Sequence, residues 1–330
     1  MKTNPNLTIA IPSNGALYEP TLVFLSECGL KVNRENNRRY IATIPFLPGV
    51  DVLFQRSSDI TGKVEDGNAD LGIVGYDRYL ELKTNNKPTM VLMNQLGFGA
   101  CSLAIGIPDS WVDVTSIADL AEVAAEFRSN GMTIRVATKF PRLTEQFFMA
   151  NSISNFSIVP SSGTLEIAPE MGFADIISDI TSSGTTMKEN RLKTLSGGTI
   201  IKSECCLISN NISISTDSFK SEAAEQIIAM IKANIQSKNF YQVKANIKSG
   251  SLSELTTLIS TSLKFDHISL PTISEIHAVN DTNLFEITSL IDKKNLMESV
   301  NEISSLGAYN ITVEQPKYLF KLPDSDIQVN

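Results

Sequence analysis

Histidine is nearly missing from this chain: 330 residues carry two, His267 and His277, both late in the sequence. That argues against a Ser-His-Asp enzyme and against a His-rich metal centre. Cysteine is scarce as well. Cys28, Cys101, Cys205 and Cys206 contain no Cys-x-x-Cys pair, and adjacent Cys205 and Cys206 cannot easily bridge to each other. All four read as buried small hydrophobes in a reducing compartment. An excess of positive charge is lacking too: 28 Lys and Arg against 36 Asp and Glu leave a net charge of −8. A general binder of nucleic acid or acidic membrane would be basic, so neither partner is expected, and a polyanionic ligand must meet a local positive site. No apolar run reaches transmembrane length, and the opening MKTNPNLTIAIPSNG lacks the apolar core of a secretion signal, so a cytoplasmic protein is expected.

What is present is ordinary globular composition, 42% hydrophobic and 19% charged, in a length that suggests two or three domains. LTIAIP (7–12) reads as a buried strand, YEPTLVFLSECGL as a helix stopping near Gly29, ATIPFLPGVDVLFQR as strand material, SSDITGKVEDG as a short helix with Asp59 as a possible N-cap, and ADLGIVG as a strand. A second series follows: helix ADLAEVAAEFRSNG, strand TIRVATK, helix PRLTEQFFMANS with Pro141 near its start, strand SIVP, a turn and short helix in SGTLEIAPEMG, and strand ADIISDI. Strands alternating with helices predict a parallel α/β sheet. EDGNADLGIVGYD (65–77) and PEMGFADIISDIT (169–181) share Gly-x-Ala-Asp before an aliphatic run. That pseudo-repeat predicts two doubly wound lobes around a cleft, as in periplasmic binding proteins; Gly-x-Ala-Asp is also simply a common way to begin a strand.

The expected division is a first lobe over 1–108, rejoined by a strand in TIIKSECCLISN (199–210) within 197–215, and a second lobe over 109–196. A linker helix spans 216–239. Residues 240–330 then run β-α-β-β-α-β, the ferredoxin-like (ACT-like) order.

The densest chemistry lies in SDITSSGTTMKEN (178–190). Thr181, Ser182, Ser183, Gly184, Thr185 and Thr186 supply five hydroxyls around one glycine. Gly184 can turn sharply with positive φ, and small neighbours leave amides accessible. A helix over MKENRLKTL would aim its positive end at the loop, a combination that holds phosphate without lysine. Asp175 and Asp179, four apart, fall on one side of a strand. Asp179 beside the loop can accept from vicinal sugar hydroxyls, which describes a ribose 5-phosphate cradle. Alone, the same letters also describe a Ser/Thr-rich turn capping a helix. No Walker loop is present.

The longer string EIAPEMGFADIISDITSSGTTM (166–187) resembles the signature of ATP phosphoribosyltransferase, the first enzyme of histidine biosynthesis. Glu166, Gly172, Ala174, Ile177, Asp179, Ile180, Ser183, Gly184, Thr186 and Met187 fill its fixed positions. RSSDITGKVEDGNADLGIVGYD, LGFGACSLAIGIP and IRVATKFPRL resemble three further stretches of that family, and LPTIS with SSLGAYNITV resembles the regulatory module of its long form. One departure stands out: the family's Lys-Gly-Arg-Leu after the first strand reads Asn14-Gly15-Ala16-Leu17 here. Arg34, Arg38 or Arg39 are the cations expected to compensate.

The resemblance implies joining adenine N1 of ATP to C1 of phosphoribosyl pyrophosphate (PRPP), with pyrophosphate leaving and the anomeric centre inverting. Adenine N1 is already a nucleophile, so catalysis rests on positioning and on stabilising the departing anion. Mg²⁺ carried by the substrate suits that task. The implied PRPP contacts are Thr181–Thr186 for the 5-phosphate, Asp179 with Asp175 for the ribose, and Glu166 for PRPP or a metal-bound water. Arg56, Asp77 and Lys139 are candidates for ATP or pyrophosphate; Asp70 either faces the cleft or simply caps local backbone. The module implies histidine as inhibitor, with Leu270, Pro271 and Thr272 as contacts, and homo-oligomers, dimer or hexamer. Two other readings fit part of the pattern: a phosphoribosyltransferase for another base, and a two-lobed binding protein without catalysis.

Overall fold

A computed structural model describes residues 6–36, 38–161, 163–182, 184–262, 271–278 and 281–320. The chain divides into two compact units, residues 1–26 with 31–224 and residues 27–30 with 225–330.

The first unit opens with β1 (Leu7–Pro12), α1 (Tyr18–Glu27), β2 (Ile41–Thr43), β3 (Val50–Gln55), α2 (Ser57–Glu65), β4 (Leu71–Gly75), α3 (Tyr76–Leu82) and β5 (Thr89–Met93). It continues with β6 (Cys101–Pro108), α4 (Ile117–Ser129), β7 (Ile134–Thr138), α5 (Pro141–Ala150), β8 (Phe156–Pro160), β9 (Ile176–Thr181), α6 (Thr185–Glu189) and β10 (Leu192–Ser203). It closes with β11 (Cys205–Asn210) and α7 (Asn211–Ser215); α8 (Ser218–Ser237) carries the chain across the division. Two sheets result, ordered β2-β3-β1-β4-β11-β5 and β10-β6-β9-β7-β8. They are the two expected lobes. β1 and β4 are continuous apolar runs because both their faces are covered, as central parallel strands require.

Pairing differs from the all-parallel expectation. β1 runs parallel to β3 and β4, and β7 to β8 and β9, but β6, β10 and β11 are antiparallel to their neighbours. The cause is the route of the chain, which crosses between lobes twice and returns in the opposite sense. The stretch 199–210 is accordingly two strands, not one: β10 belongs to the second sheet and β11 to the first, with the break at Glu204. The crossings pin each other through Leu96 N to the Cys205 carbonyl (3.0 Å), Cys205 N to the Phe98 carbonyl (3.1 Å) and Gly97 N to the Glu204 carboxylate.

Three local expectations are corrected. The helix over MKENRLKTL shrinks to the five residues of α6, because Arg191 turns with φ 55° and Leu192 already begins β10. SGTLEIAPEMG forms turns without a helix among its described residues. Asp59 lies in the first turn of α2, whose N-cap position is Arg56.

The second unit contains β12 (Phe240–Lys248), α9 (Leu252–Ser262), β13 (Thr272–Ala278), β14 (Asp281–Asp292), α10 (Leu296–Ser305) and β15 (Asn310–Glu314). The sheet order β13-β14-β12-β15 makes it the expected ferredoxin-like module, cored by Val243, Ile247, Leu255, Phe285, Ile287 and Ile303. Leu270 lies outside the described residues. Pro271 precedes β13, an edge strand that exposed Thr272 opens. No helix among the described residues is long and apolar enough to cross a membrane.

Candidate active site

The carboxyl ends of the parallel strands carry many of the polar residues singled out above. Asn14 and Gly15 follow β1, Arg56 follows β3, Tyr76 to Arg78 follow β4, Lys139 follows β7, and the hydroxyl loop follows β9. This is where open α/β sheets bind ligands.

The loop is fixed from beneath. Met187 of α6, Leu165, Ala168, Ala174, Ile177, Ala137 and Leu192 form one buried cluster. Burying a side chain such as Met187 contributes about 1.5–3 kcal/mol, so the apolar members of the signature anchor the polar ones. Above the cluster, Ser182, Thr185 and Thr186 are exposed and Thr181 and Gly184 half-exposed; Ser183 lies outside the described residues. Gly184 has φ +74°, and a Cβ built there would meet no atom within 4 Å. Glycine is needed for the backbone turn, therefore, and the space beside it is open. The Gly184 amide donates to Thr181 Oγ1 at 2.9 Å, so that donor is committed within the loop. With α6 only five residues long, its dipole is small, so the helix end contributes less to the loop than the sequence suggested.

Asp179 stands at the root of the loop. Its Oδ1 accepts from Ile180 N at 2.8 Å. Burial pushes its carboxyl pKa up; the Ile180 hydrogen bond opposes that, nearby Glu166 adds to it, and Lys139 and Arg78 oppose it. Glu166 and Lys139 thus lie within electrostatic reach of Asp179. Their corner is held by buried hydroxyls: Thr138 Oγ1 donates to the Ser178 carbonyl (2.8 Å) and accepts from Phe140 N (2.9 Å), and Thr144 Oγ1 bonds Ser178 Oγ (2.8 Å).

Asp175 is not part of this group. It precedes β9 at the opposite end, where Arg135 Nη2 and Nε reach it at 2.8 and 3.2 Å and Arg135 N donates at 2.8 Å. The four-residue spacing preserves the face of a strand but moves along it by about 13 Å at roughly 3.3 Å per residue. Asp70 occupies the matching place before β4, bound to Lys220 Nζ (2.7 Å), Thr8 N (2.7 Å) and the Ser213 hydroxyl. Asp77 is corrected as well: it is buried, its Oδ1 accepts from Ser203 Oγ at 2.5 Å and its amide donates back at 2.9 Å. It ties the first lobe to the returning strand and is not open to a phosphate.

Beside the loop lies a cleft of about 380 Å³ lined by both lobes, including Tyr76, Asn94, Gln95, Ser102, Ser182 and Lys202. Half-buried Cys101 also lines it, unlike Cys28, Cys205 and Cys206, which are fully buried. Burial pushes the thiols of Cys28 and Cys206 up to about 12. Exposed Arg56 forms no ion pair among the described residues. Of the three arginines set against the Asn14-Gly15-Ala16-Leu17 turn, Arg39 pairs with Glu35 and Arg38 is exposed. Arg34 stacks on Phe54 (4.0 Å to the ring centroid) and bonds Tyr18 Oη, at the carboxyl end of β3.

A family model, HisG: ATP phosphoribosyltransferase, matches residues 56–233, more than half of the chain. The chain belongs to the ATP phosphoribosyltransferase family. Among curated relatives, ATP phosphoribosyltransferase 2, chloroplastic, of Arabidopsis thaliana is 32% identical over 95% of this chain and 77% of its own. The ATP phosphoribosyltransferase of Brucella melitensis biotype 2 is 40% identical over 70% of this chain and 99% of its own. Among solved structures, the ATP phosphoribosyl transferase (HisG:HisZ) complex from Thermotoga maritima matches with a TM-score of 0.52 and 25% identity, over 68% of this chain and 98% of that one.

Two residues of this family member escaped the reading of the sequence. Glu81 of α3 accepts from Arg142 N (3.0 Å) and Leu143 N (2.9 Å), capping α5 of the other lobe. Arg78, also on α3, reaches Lys139. Their signal was positional: they follow the strand whose pseudo-repeat partner carries the loop.

Proposed function

We infer that this chain transfers the 5-phosphoribosyl group of PRPP to N1 of the adenine of ATP, the first step of histidine biosynthesis. The C1–oxygen bond to pyrophosphate breaks as the N1–C1 bond forms. The observation that carries this is an exposed hydroxyl loop with an αL glycine at the end of β9, backed by Asp179 and open to an interlobe cleft, in a chain of this family. Thr181, Ser182, Thr185 and Thr186 take the 5-phosphate. Asp179 accepts from the ribose hydroxyls, and Glu166 approaches the same sugar. Lys139 and Arg56 are placed to meet the anionic groups, with Arg34 supplying a charge that Asn14 and Ala16 do not. The cleft by Tyr76, Asn94 and Gln95 offers a ring face and amide groups to the adenine.

Among the described residues no group of three His, Cys, Asp or Glu side chains is arranged to hold a metal ion. Mg²⁺ fits here as an ion carried by the diphosphate of PRPP, where it neutralises the leaving group. The protein's part is orientation: fixed donors around the 5-phosphate and a fixed acceptor under the sugar hold C1 toward the base.

Purified protein, Mg²⁺ and PRPP are incubated with a panel of purine nucleotides, and pyrophosphate release and product absorbance are followed. Release with ATP is expected. Release with another base alone assigns a different phosphoribosyltransferase, and none at all assigns a binding protein.

The ferredoxin-like module is proposed to sense histidine beside Pro271 and Thr272, with its exposed edge strands available for assembly into homo-oligomers. The same assay with added histidine, together with sedimentation of the full chain, tests both. Activity indifferent to histidine removes the sensor, and a monomer removes the assembly.

A further inference from the structure

We propose that Arg78 is a positioning residue for the sugar-phosphate site, through which the first lobe braces the Lys139 corner and keeps the Asp179 carboxylate ready to accept from the sugar. The inference rests on the phosphoribosyl reading above and names a further residue for it. Neither the family signature nor its phosphate loop contains this position.

Arg78 is half-buried in α3, directly after Asp77, whose bond to Ser203 fixes that end of the helix. Its Nη1 donates to the Lys139 carbonyl at 3.1 Å. Its guanidinium lies over the Phe140 ring, 4.1 Å from the centroid. The two contacts grip consecutive residues at the turn from β7 into α5, and a planar fork can make both at once, whereas an ammonium cannot. The register pairs Thr138 of β7 with Ser178 of β9, so Lys139, whose carbonyl Arg78 holds, directly follows the strand position opposite the residue before Asp179. Within electrostatic reach of Asp179 lie Glu166, Lys139 and Arg78. Only Arg78 among them comes from the first lobe.

Two further contacts join the same elements. Glu81, one helical turn beyond Arg78, caps α5, and Arg142 Nη1 bonds the Lys83 carbonyl. The packing of α3 on α5 therefore sets the place of a positive charge beside the sugar's acceptor. An ionised Asp179 accepts from hydroxyls at full strength, and a protonated one does not. Removing Arg78 withdraws one of the cations that hold the proton off.

The test is calorimetric binding of PRPP with Mg²⁺ to the full-length protein, from mildly acidic to neutral pH, for wild type, Arg78→Met and Arg78→Lys. Arg78→Met keeps length and stacking bulk without charge. It is expected to weaken PRPP binding about tenfold near neutrality, and to move the pH at which binding is lost on the acid side upward. Arg78→Lys keeps the charge but not the fork, so it is expected to hold the acid limb near wild type while binding more weakly. Titration of the PRPP phosphates is common to all three proteins and cancels in the comparison. Equal affinity in Arg78→Met and wild type overturns the proposal. So does a loss by the same factor at every pH, which is what mere loosening of α3 would produce. Melting temperatures of both variants report folding, and Arg78→Lys carries the test if Arg78→Met unfolds. Wild-type protein that binds no PRPP refutes the phosphoribosyl reading itself; wild-type binding with an unaffected Arg78→Met refutes this inference alone.

Discussion

Asp175 and Asp179 stand at opposite ends of β9. Both carboxylate oxygens of Asp175 are met by Arg135, through its guanidinium and its backbone amide, whereas among the described residues Asp179 has one amide partner and no ion pair, and burial has raised its carboxyl pKa. The same pair of ends exists in the other lobe. Asp70 before β4 is held by Lys220, Ser213 and Thr8, and Asp77 after β4 is closed off by Ser203. The lesson concerns the repeated Gly-x-Ala-Asp: it is a device for starting a strand. Gly67 and Gly172 both turn with φ +72°, Ala69 and Ala174 are both buried, and both acids tie down neighbouring chain. The proposed ligand chemistry belongs to the other end, where, among the described residues, Asp77 is closed off by a hydroxyl and Asp179 has neither a hydroxyl nor a cation bonded to it.

The sharpest way to break this comparison is to remove Asp70. Asp70→Ala strips the partner from Lys220 and an acceptor from Thr8 N and Ser213. Breaking a buried pair of this kind costs about 3–5 kcal/mol, read as a shift in the urea midpoint at constant slope. A loss below about 1 kcal/mol would put Asp70 on a par with an exposed pair and undo the strand-start assignment.

Asp179→Asn should act on function instead. Loss of a charged acceptor is expected to weaken PRPP binding by about tenfold to a hundredfold, measured by calorimetry. Its stability effect has the opposite sign. A carboxyl with a raised pKa in the fold holds its proton more tightly than in the unfolded chain. The fold is favoured by that proton below the ordinary carboxylate range, and the benefit is lost as pH rises through the folded pKa. Asparagine does not titrate, so the melting temperature of Asp179→Asn relative to wild type should climb from acid to neutral pH. A falling difference would mean that Asp179 is better paired than its surroundings indicate.

Ser203→Ala sharpens the contrast between Asp77 and Asp179. It leaves a buried carboxylate with one partner fewer, at a cost of about 1–3 kcal/mol, while PRPP affinity changes little. A PRPP affinity loss as large as that of Asp179→Asn would return Asp77 to the ligand site. The smallest effect is expected from Asp175→Asn: a lower melting temperature, and PRPP affinity within about twofold of wild type, since a half-exposed pair far from the ligand makes only a modest contribution.

Much of this was legible in the letters. The hydroxyl loop, Gly184, Asp179 and Glu166 were found as a contiguous string, because one strand, one turn and the segment before them fold locally. The β-α-β-β-α-β order of the module was readable for the same reason. The settings of Asp175 and Asp77 were not legible because a carboxylate's role is set by what faces it, and Arg135 and Ser203 are far away in sequence or on another strand; Asp70 does tie down backbone, as one reading of it had it, but its partner Lys220 was not foreseeable. The truncated α6 was missed because Lys188 to Thr194 suit a helix locally, and the claim of the second sheet on Leu192 and its successors comes from β6.

By itself, then, the sequence determined the alternation of strand and helix, the turn that only a glycine can make, and the supply of hydroxyls and acid in one short string. These depend on periodicity, backbone sterics and residue chemistry over distances of a few residues. Tertiary structure alone decided which acids are neutralised, how the chain crosses twice between the lobes, and that Arg78 and Lys139, 61 positions apart, share a corner. Charge pairing and burial act through space, and no local pattern encodes which distant segment will arrive opposite a given side chain.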